Sequence, residues 1–311
     1  MKSSEGLKVA SLFSGCGGAD LGIAGGFNYL GQRYSKRKVE IVHASDIDAH
    51  AVETYNKNFK NLAQVADVRD LRAHDLGEPD LLIGGFPCQS FSTVNPTKNP
   101  EDDRGQLYRE LVRLARTSNA PIVIGENVKG FYTLNKGIYF QKFINALKKS
   151  GYSVYHQIIR AHDLGVPQKR ERLFVVGVRN DIDVPFQFPR PTHGEGLLPL
   201  VTLSKVIDSV TDVPQKYYFS ERAVAGVKAA KPNMKRALAQ DLNAPCLTVT
   251  SHLAKSSLNS RDPVLLVDTA KEIYRRFTPR EAARIQGFPD TFLLPESDPR
   301  AYRQIGNAIS P

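Results

Sequence analysis

Among the side chains able to do chemistry, Cys88 has the most telling setting. It stands in Gly84-Gly85-Phe86-Pro87-Cys88-Gln89-Ser90-Phe91-Ser92, just past a strand-like segment at Asp80–Gly84. A thiolate is the strongest side-chain nucleophile near neutral pH once a lowered pKa or an assisting base supplies it. Pro87 restrains the backbone that presents it. A lone cysteine is usually a small buried hydrophobe, and that reading holds for Cys16 and Cys246. At Cys88 the polar tail that follows argues for an exposed loop instead. Glu126-Asn127-Val128 follows a second strand-like segment, Pro121–Gly125. Its carboxyl group could be a general acid or a hydrogen-bond anchor if burial raises its pKa, or a surface acid paired with Lys129. Gln168-Lys169-Arg170-Glu171-Arg172 precedes a third strand-like segment, Leu173–Val178. Most such charge runs are solvated faces, but arginine is also the natural ligand of a phosphate or a base carbonyl.

A second group of residues suits a bound nucleoside. Phe13-Ser14-Gly15-Cys16-Gly17-Gly18 directly follows the first strand-like segment, and glycines there allow a tight turn and a close approach to a ligand. The dinucleotide fingerprint G-x-G-x-x-G fails, because Asp20 occupies the place of the third glycine. Asp46 ends the second strand, where a carboxylate can accept hydrogen bonds from ribose hydroxyls. Asp67 follows the next strand, where it could bond an adenine amino group. Either acid alone reads as a solvated loop residue. All three features at successive strand ends fit a nucleoside-bearing cofactor better.

The elements that must position these residues alternate. Lys8–Phe13 reads as a buried strand followed by a helix through Leu21, and Glu40–Ser45 as a strand followed by a helix from Asp48 to Asn58. Beyond Asp80–Gly84, apolar residues at Leu107, Leu111, Leu114 and Ala115 mark one helix face over Leu107–Ser118. Pro121–Gly125 is strand, Ile138–Ser150 helix, and Tyr152–Arg160 and Leu173–Val178 strands. Such alternation implies an α/β fold with a mostly parallel, doubly wound sheet covered on both faces. Ligands of such sheets sit beyond the carboxyl ends of the strands. The pattern breaks in a proline-rich stretch from Asp183 to Pro214. From Arg190 to Asp268 the chain reads as a smaller irregular domain with Lys216, Arg222, Lys228, Lys231, Lys235, Arg236, Lys255 and Arg261. Helical pattern returns at Thr278–Gly287. The expected division is therefore 1–189 with 269–311 as one domain, and 190–268 as another.

Composition narrows the class. The 311 residues are 41% hydrophobic and 24% charged, the balance of a globular protein with a real core. No apolar run approaches the roughly 18–20 residues of a membrane span, and the start has no signal-peptide core, so a cytoplasmic protein is expected. The 3 cysteines can form neither a disulfide framework nor a closely spaced zinc site. A formal net charge of +10 favours a polyanionic partner.

Taken in order, these motifs resemble the DNA cytosine-5 methyltransferase family of the bacterial modification-enzyme type. The matching residues are Phe13–Gly18, Asp46, Asp67, Gly85–Gln89, Glu126–Val128, Gln168–Arg172, Arg280-Glu281-Ala282-Ala283-Arg284-Ile285-Gln286-Gly287-Phe288-Pro289 and Gln304-Ile305-Gly306-Asn307. They cover nearly the whole chain, and Pro-Cys-Gln with Glu-Asn-Val is highly specific. The resemblance implies a Rossmann-like methyltransferase sheet, S-adenosylmethionine as cofactor with S-adenosylhomocysteine as its product, and no metal. It implies that Cys88 adds to carbon 6 of a flipped-out cytosine, that Glu126 holds or protonates ring nitrogen 3, and that Arg172, with Arg170 beside it, serves the base carbonyl. Phe13, Gly15, Cys16, Gly17, Gly18, Asp46, Ile47, Asp67, Val68, Pro87, Leu107 and Asn307 would line the cofactor. Gln89, Ser92, Arg104, Thr248, Thr250 and Ser251 would touch DNA, the last three within the 190–268 segment that falls where the family inserts its target recognition domain. For Thr248, Thr250 and Ser251 the alternative is that they satisfy local backbone groups. Double-stranded DNA is the expected partner of a monomer, alongside a cognate restriction endonuclease.

Two departures stand out: Ser11 occupies a position where many members have Asp, and Ile47 one where some have an aromatic residue. The family's last motif leads into a final helix beside the first one. Only Ala308–Pro311 follow here, so apolar surface around Leu21 and Ile23 is expected to lie exposed, and the natural chain to continue. Three rivals exist. An RNA cytosine-5 methyltransferase shares the catalytic fold, a silent DNA-binding relative would not need Cys88, Glu126 and Arg172 together, and a nicotinamide dehydrogenase would need the missing third glycine.

Overall fold

The computed structural model describes residues 6–60, 62–87, 106–209, 212–228, 239–255 and 262–311. The chain packs into two units. One comprises 1–26, 35–159 and 171–190; the other comprises 27–34, 160–170 and 191–311. Residues 269–311, expected to fold with the catalytic part, thus pack in the second unit.

In chain order the elements are β1 (Leu7–Leu12), α1 (Gly18–Ala24), β2 (Phe27–Tyr29), β3 (Gln32–Tyr34), β4 (Val39–Asp46), α2 (Ala49–Phe59), β5 (Ala63–Val65) and β6 (Leu81–Gly85). There follow α3 (Tyr108–Ser118), β7 (Ile122–Val128), α4 (Lys129–Thr133), α5 (Ile138–Lys149), β8 (Tyr152–Arg160), β9 (Gln168–Lys169) and β10 (Glu171–Arg179). The remainder holds α6 (Glu221–Lys228), β11 (Cys246–Leu247), β12 (Leu265–Asp268), β13 (Ile273–Arg275), α7 (Pro279–Ile285) and α8 (Asp298–Asn307). Among the described residues no helix is long and apolar enough to cross a membrane.

The first unit is built on a seven-stranded sheet of order β5-β4-β1-β6-β7-β10-β8. β1 pairs in parallel with β4 and β6, β4 with β5, and β6 with β7, whereas β10 runs antiparallel to β7. Alternation along each strand sends successive side chains to opposite faces. Ala10, Leu12, Leu82, Val123 and Val175 pack with Leu111, Leu114, Ala115, Phe143 and Leu147 of α3 and α5. Val9, Leu81 and Ile83 meet Ala19 and Ile23 of α1 on the other face, and Ala44 meets Val52 and Tyr55 of α2. Each fully buried Leu or Phe among these contributes about 1.5–3 kcal/mol. Leu21 and Ile23 are half-buried rather than exposed, which corrects the expectation for that surface. Local signals set the helix boundaries. Asp48 caps α2 by accepting from the His50 amide at 3.0 Å, and Asn119 ends α3 in the left-handed region.

The second unit holds short pairs, β2 with β3, β9 with β11 and β12 with β13. Its buried polar centre is Arg275 with Glu281, both fully enclosed, with Arg275 Nη1 and Nη2 each 2.7 Å from a Glu281 carboxylate oxygen. Glu281 also accepts from the Thr278 amide at 2.7 Å, and Thr278 Oγ1 accepts in turn from the Glu281 amide, so this pair starts α7.

Candidate active site

The carboxyl ends of β1, β4 and β5 carry the expected cofactor residues of the first unit. Phe13 leaves β1 with φ of 52°, and the backbone then turns through Gly15 (φ 55°) and Gly17 (φ 95°) into α1. The loop is pinned by the Ser14 amide to Ser45 O at 3.0 Å and the Gly15 amide to Asp46 Oδ2 at 2.8 Å. Asp46 Oδ1 accepts from the Asp48 amide at 2.8 Å, and burial raises its pKa against these bonds. The Ile47 amide also bonds this carboxylate, whose remaining acceptor capacity is what a ribose hydroxyl would use. The two glycines differ in kind. A Cβ on Gly17 would lie 2.4 Å from the Phe59 ring, whereas one on Gly15 would meet nothing within 4 Å. Gly15 thus borders an open cradle, and Gly17 serves packing. Gly18 is buried at the start of α1, and the buried Cys16 thiol has its pKa pushed up to about 12, chiefly by burial, which makes it inert.

Ile47 is 69% exposed beside Asp46, and Val65 at the end of β5 is 56% exposed. Two apolar side chains left in solvent at this edge suit a flat, weakly polar ring. Asp67 is clasped by Arg69, whose Nε lies 3.0 Å from Oδ1, and these hydrogen bonds hold its carboxyl below the usual range. Val68 turns its side chain into the core, so only its backbone is available to a ligand. Leu107 packs partly buried just ahead of α3. Asn307 is the exposed last residue of α8, in the second unit.

The end of β6 leads toward the expected nucleophile. Phe86 is buried among Tyr108, Phe131 and Phe143, and its carbonyl accepts from Asn127 Nδ2 at 3.1 Å. Asn127 therefore fixes the backbone that runs through the half-buried Pro87 to Cys88. Cys88, Gln89, Ser92 and Arg104 lie outside the described residues. Asn127 stands within the Glu-Asn-Val motif, where nothing in the sequence marks this role.

Glu126 is aligned with Gly85 across the parallel β6–β7 pair. It lies within β7, which extends to Val128, rather than after the strand as expected. It is 8% exposed and faces Arg172 Nε at 3.1 Å. Arg172 sits opposite Val128 on β10, so the two side chains meet on the diagonal of the antiparallel ladder. Lys129, the alternative partner, pairs with Glu171 instead. A carboxyl and a guanidinium are thus joined beside the strand that precedes Pro87.

Arg170 does not join them. It belongs to the second unit, where it is 3% exposed and donates to the carbonyls of Val249, Gly306 and Ala308, the last at 2.8 Å. Its expected catalytic role gives way to one of holding the end of α8. Thr248 Oγ1 donates to Lys169 O at 3.0 Å and Thr250 Oγ1 to Asp262 at 2.7 Å. Both hydroxyl protons are engaged inside the chain, one on a carbonyl distant in sequence and one on a carboxylate side chain, rather than on local backbone groups. Ser251 lies against Gly306, where an added Cβ would come within 2.2 Å of its amide nitrogen. Among the described residues no group of His, Cys, Asp and Glu is arranged to hold a metal ion.

Comparison with known proteins bears on this arrangement. A family model described as C-5 cytosine-specific DNA methylase matches residues 7–311. The chain is 32% identical to Type II methyltransferase M.NlaX of Neisseria lactamica, covering 97% of this chain and 92% of that one. It is 33% identical to Type II methyltransferase M.Bsp6I of Bacillus sp., covering 97% and 94%. The crystal structure of S. pombe Dnmt2 methyltransferase superposes with a TM-score of 0.74 at 20% identity, over 98% of this chain and 94% of that one.

Proposed function

The chain belongs to the C-5 cytosine-specific DNA methylase family, and on that premise we propose that it methylates carbon 5 of a flipped-out cytosine within a specific double-stranded DNA sequence. The observation that carries this reading is the pairing of buried Glu126 with half-buried Arg172 beside the end of β6, with Asn127 holding the backbone that leads to Cys88. The Cys88 thiolate adds to carbon 6, and the electron pair of the 5,6 double bond becomes available at carbon 5. Glu126 in its protonated form donates to ring nitrogen 3 and Arg172 donates to the base carbonyl, so negative charge arising in the ring meets fixed donors. S-adenosylmethionine, when bound, supplies the electrophilic methyl group. Loss of the carbon-5 proton then restores the double bond and expels Cys88 as thiolate.

The open side of Gly15, the Asp46 carboxylate and the exposed Ile47 fit the adenosine half of that cofactor. The other cofactor-lining positions named above are part of the same reading. Residues 190–268 act as the target recognition segment, and the net charge of +10 suits DNA phosphates. A cytoplasmic enzyme working beside a cognate restriction endonuclease accords with the Type II names of the relatives.

Bisulfite mapping of DNA from cells expressing the protein tests the reading, with 5-methylcytosine expected at one sequence context. Cys88→Ala is expected to lose all transfer while retaining S-adenosylhomocysteine binding, and DNA carrying 5-fluorocytosine to be trapped covalently by the unaltered enzyme. Methylated RNA with unmethylated DNA would favour the RNA enzyme instead.

A further inference from the structure

We infer that Arg113 is a positioning residue for the adenine side of the cofactor site, an inference that rests on the cofactor reading above. The segment after β5 carries Asp67 and Val68. Its backbone is tied at one end by the Ala66 amide to Asp46 O at 3.1 Å. Further along, Arg113 Nη2 of α3 donates to the Val68 carbonyl at 3.0 Å. The guanidinium is itself held by Glu110, one turn earlier on α3, whose Oε2 lies 2.6 Å from Nε. That leaves Arg113 partly buried, at 32% exposure, with its fork divided between a carboxylate and a carbonyl.

Two consequences follow from this placement. Asp67, between Ala66 and Val68, has its backbone bracketed by the Asp46 tie and the Arg113 tie, so its carboxylate is carried on a braced loop although Arg69 clasps it from the solvent side. Helix α3 starts immediately after Leu107. One side chain therefore ties the Asp67–Val68 loop, read as a cofactor wall, to the middle of α3, the helix that begins after Leu107. Arginine is needed because a lysine ammonium lacks the planar fork that serves both partners at once. Arg113 touches neither the base nor the methyl group, so its loss should act on binding.

The test measures affinity for S-adenosylhomocysteine and for 5′-methylthioadenosine, which keeps the adenosine half and lacks the amino-acid carboxylate. For Arg113→Ala we expect both affinities to fall by the same factor, on the order of tenfold, the scale of one charge-assisted hydrogen bond. The KM for S-adenosylmethionine should rise by more than kcat falls. Arg113→Lys should recover part of the loss, and Glu110→Gln should show a smaller loss of the same sign in a variant that keeps the guanidinium. Unchanged affinities in a folded Arg113→Ala protein would overturn the inference. So would a loss confined to S-adenosylhomocysteine, or a fall in kcat without a rise in KM. If the unaltered protein bound neither ligand, the cofactor reading itself would fail.

Discussion

Replacing Asp20 by Asn should make the protein more stable at alkaline pH while leaving it nearly unchanged in acid. Asp20 lies in the first turn of α1 and is completely buried. Its Oδ2 accepts from Ser11 Oγ at 2.9 Å. Burial outweighs that bond and pushes its pKa from the ordinary 3.8 up to about 7. In the unfolded chain the carboxyl ionises near its ordinary value, so as pH rises through that range the unfolded state gains charge freely and the folded state does not. Stability from this group is complete below about pH 4 and is lost progressively until about pH 7. At 1.36 kcal/mol per pH unit, a rise from 3.8 to about 7 comes to about 4 kcal/mol. Asn keeps the shape and can still bond Ser11 but cannot ionise. Urea denaturation followed by circular dichroism, at intervals from pH 4.5 to 8, would give the difference between variant and parent. All other titrating groups cancel in that difference. It should grow with pH and level off above about pH 7. Parallel profiles would refute the argument, as would a variant less stable than its parent at pH 8, since either means that the ionised carboxylate is not penalised.

The glycine loop offers a paired test. Gly15→Ala should lower thermal stability only slightly, by about 1–2 kcal/mol for the left-handed backbone, yet weaken S-adenosylhomocysteine binding at least about tenfold by titration calorimetry. Gly17→Ala should show its main effect in the melting temperature, because its methyl group would collide with the Phe59 ring. In the second unit, Glu281→Ala strands the enclosed Arg275 charge and should cost about 3–5 kcal/mol in a denaturant titration. A loss under about 1 kcal/mol would show that Arg275 finds another partner.

Much of the fold was legible in the sequence because its signals are local. Apolar runs of strand length, followed by residues at helical spacing, marked β1, β4, β6, α3 and α5 to within a few residues of their bounds. A parallel sheet then brings strand ends together, so Gly15 and Asp46 had to share one edge. The short hairpin β2–β3 was missed, since three-residue strands give too little periodicity to read.

Pairings between distant residues were decided only by tertiary structure. Glu126 could have met Lys129, its near neighbour in the chain, but the β7–β10 register brings Arg172 to it. Arg170 and Arg172 read alike in a charge run, yet the chain passes from one unit to the other between Arg170 and Glu171, so one guanidinium holds carbonyls and the other faces the Glu126 carboxyl. Nothing local in the sequence pairs Thr248 with Lys169 O or Thr250 with Asp262, the acceptors of their hydroxyl protons. Ser11 read as a departure from the family's Asp, and the structure sets the Asp20 carboxylate against it. Residue type and spacing determine which chemistry a segment can perform and which edge of the sheet it reaches. Which partner a polar group acquires depends on the register and crossing of elements far apart in sequence, where burial makes an unpaired group costly and no local pattern records the choice.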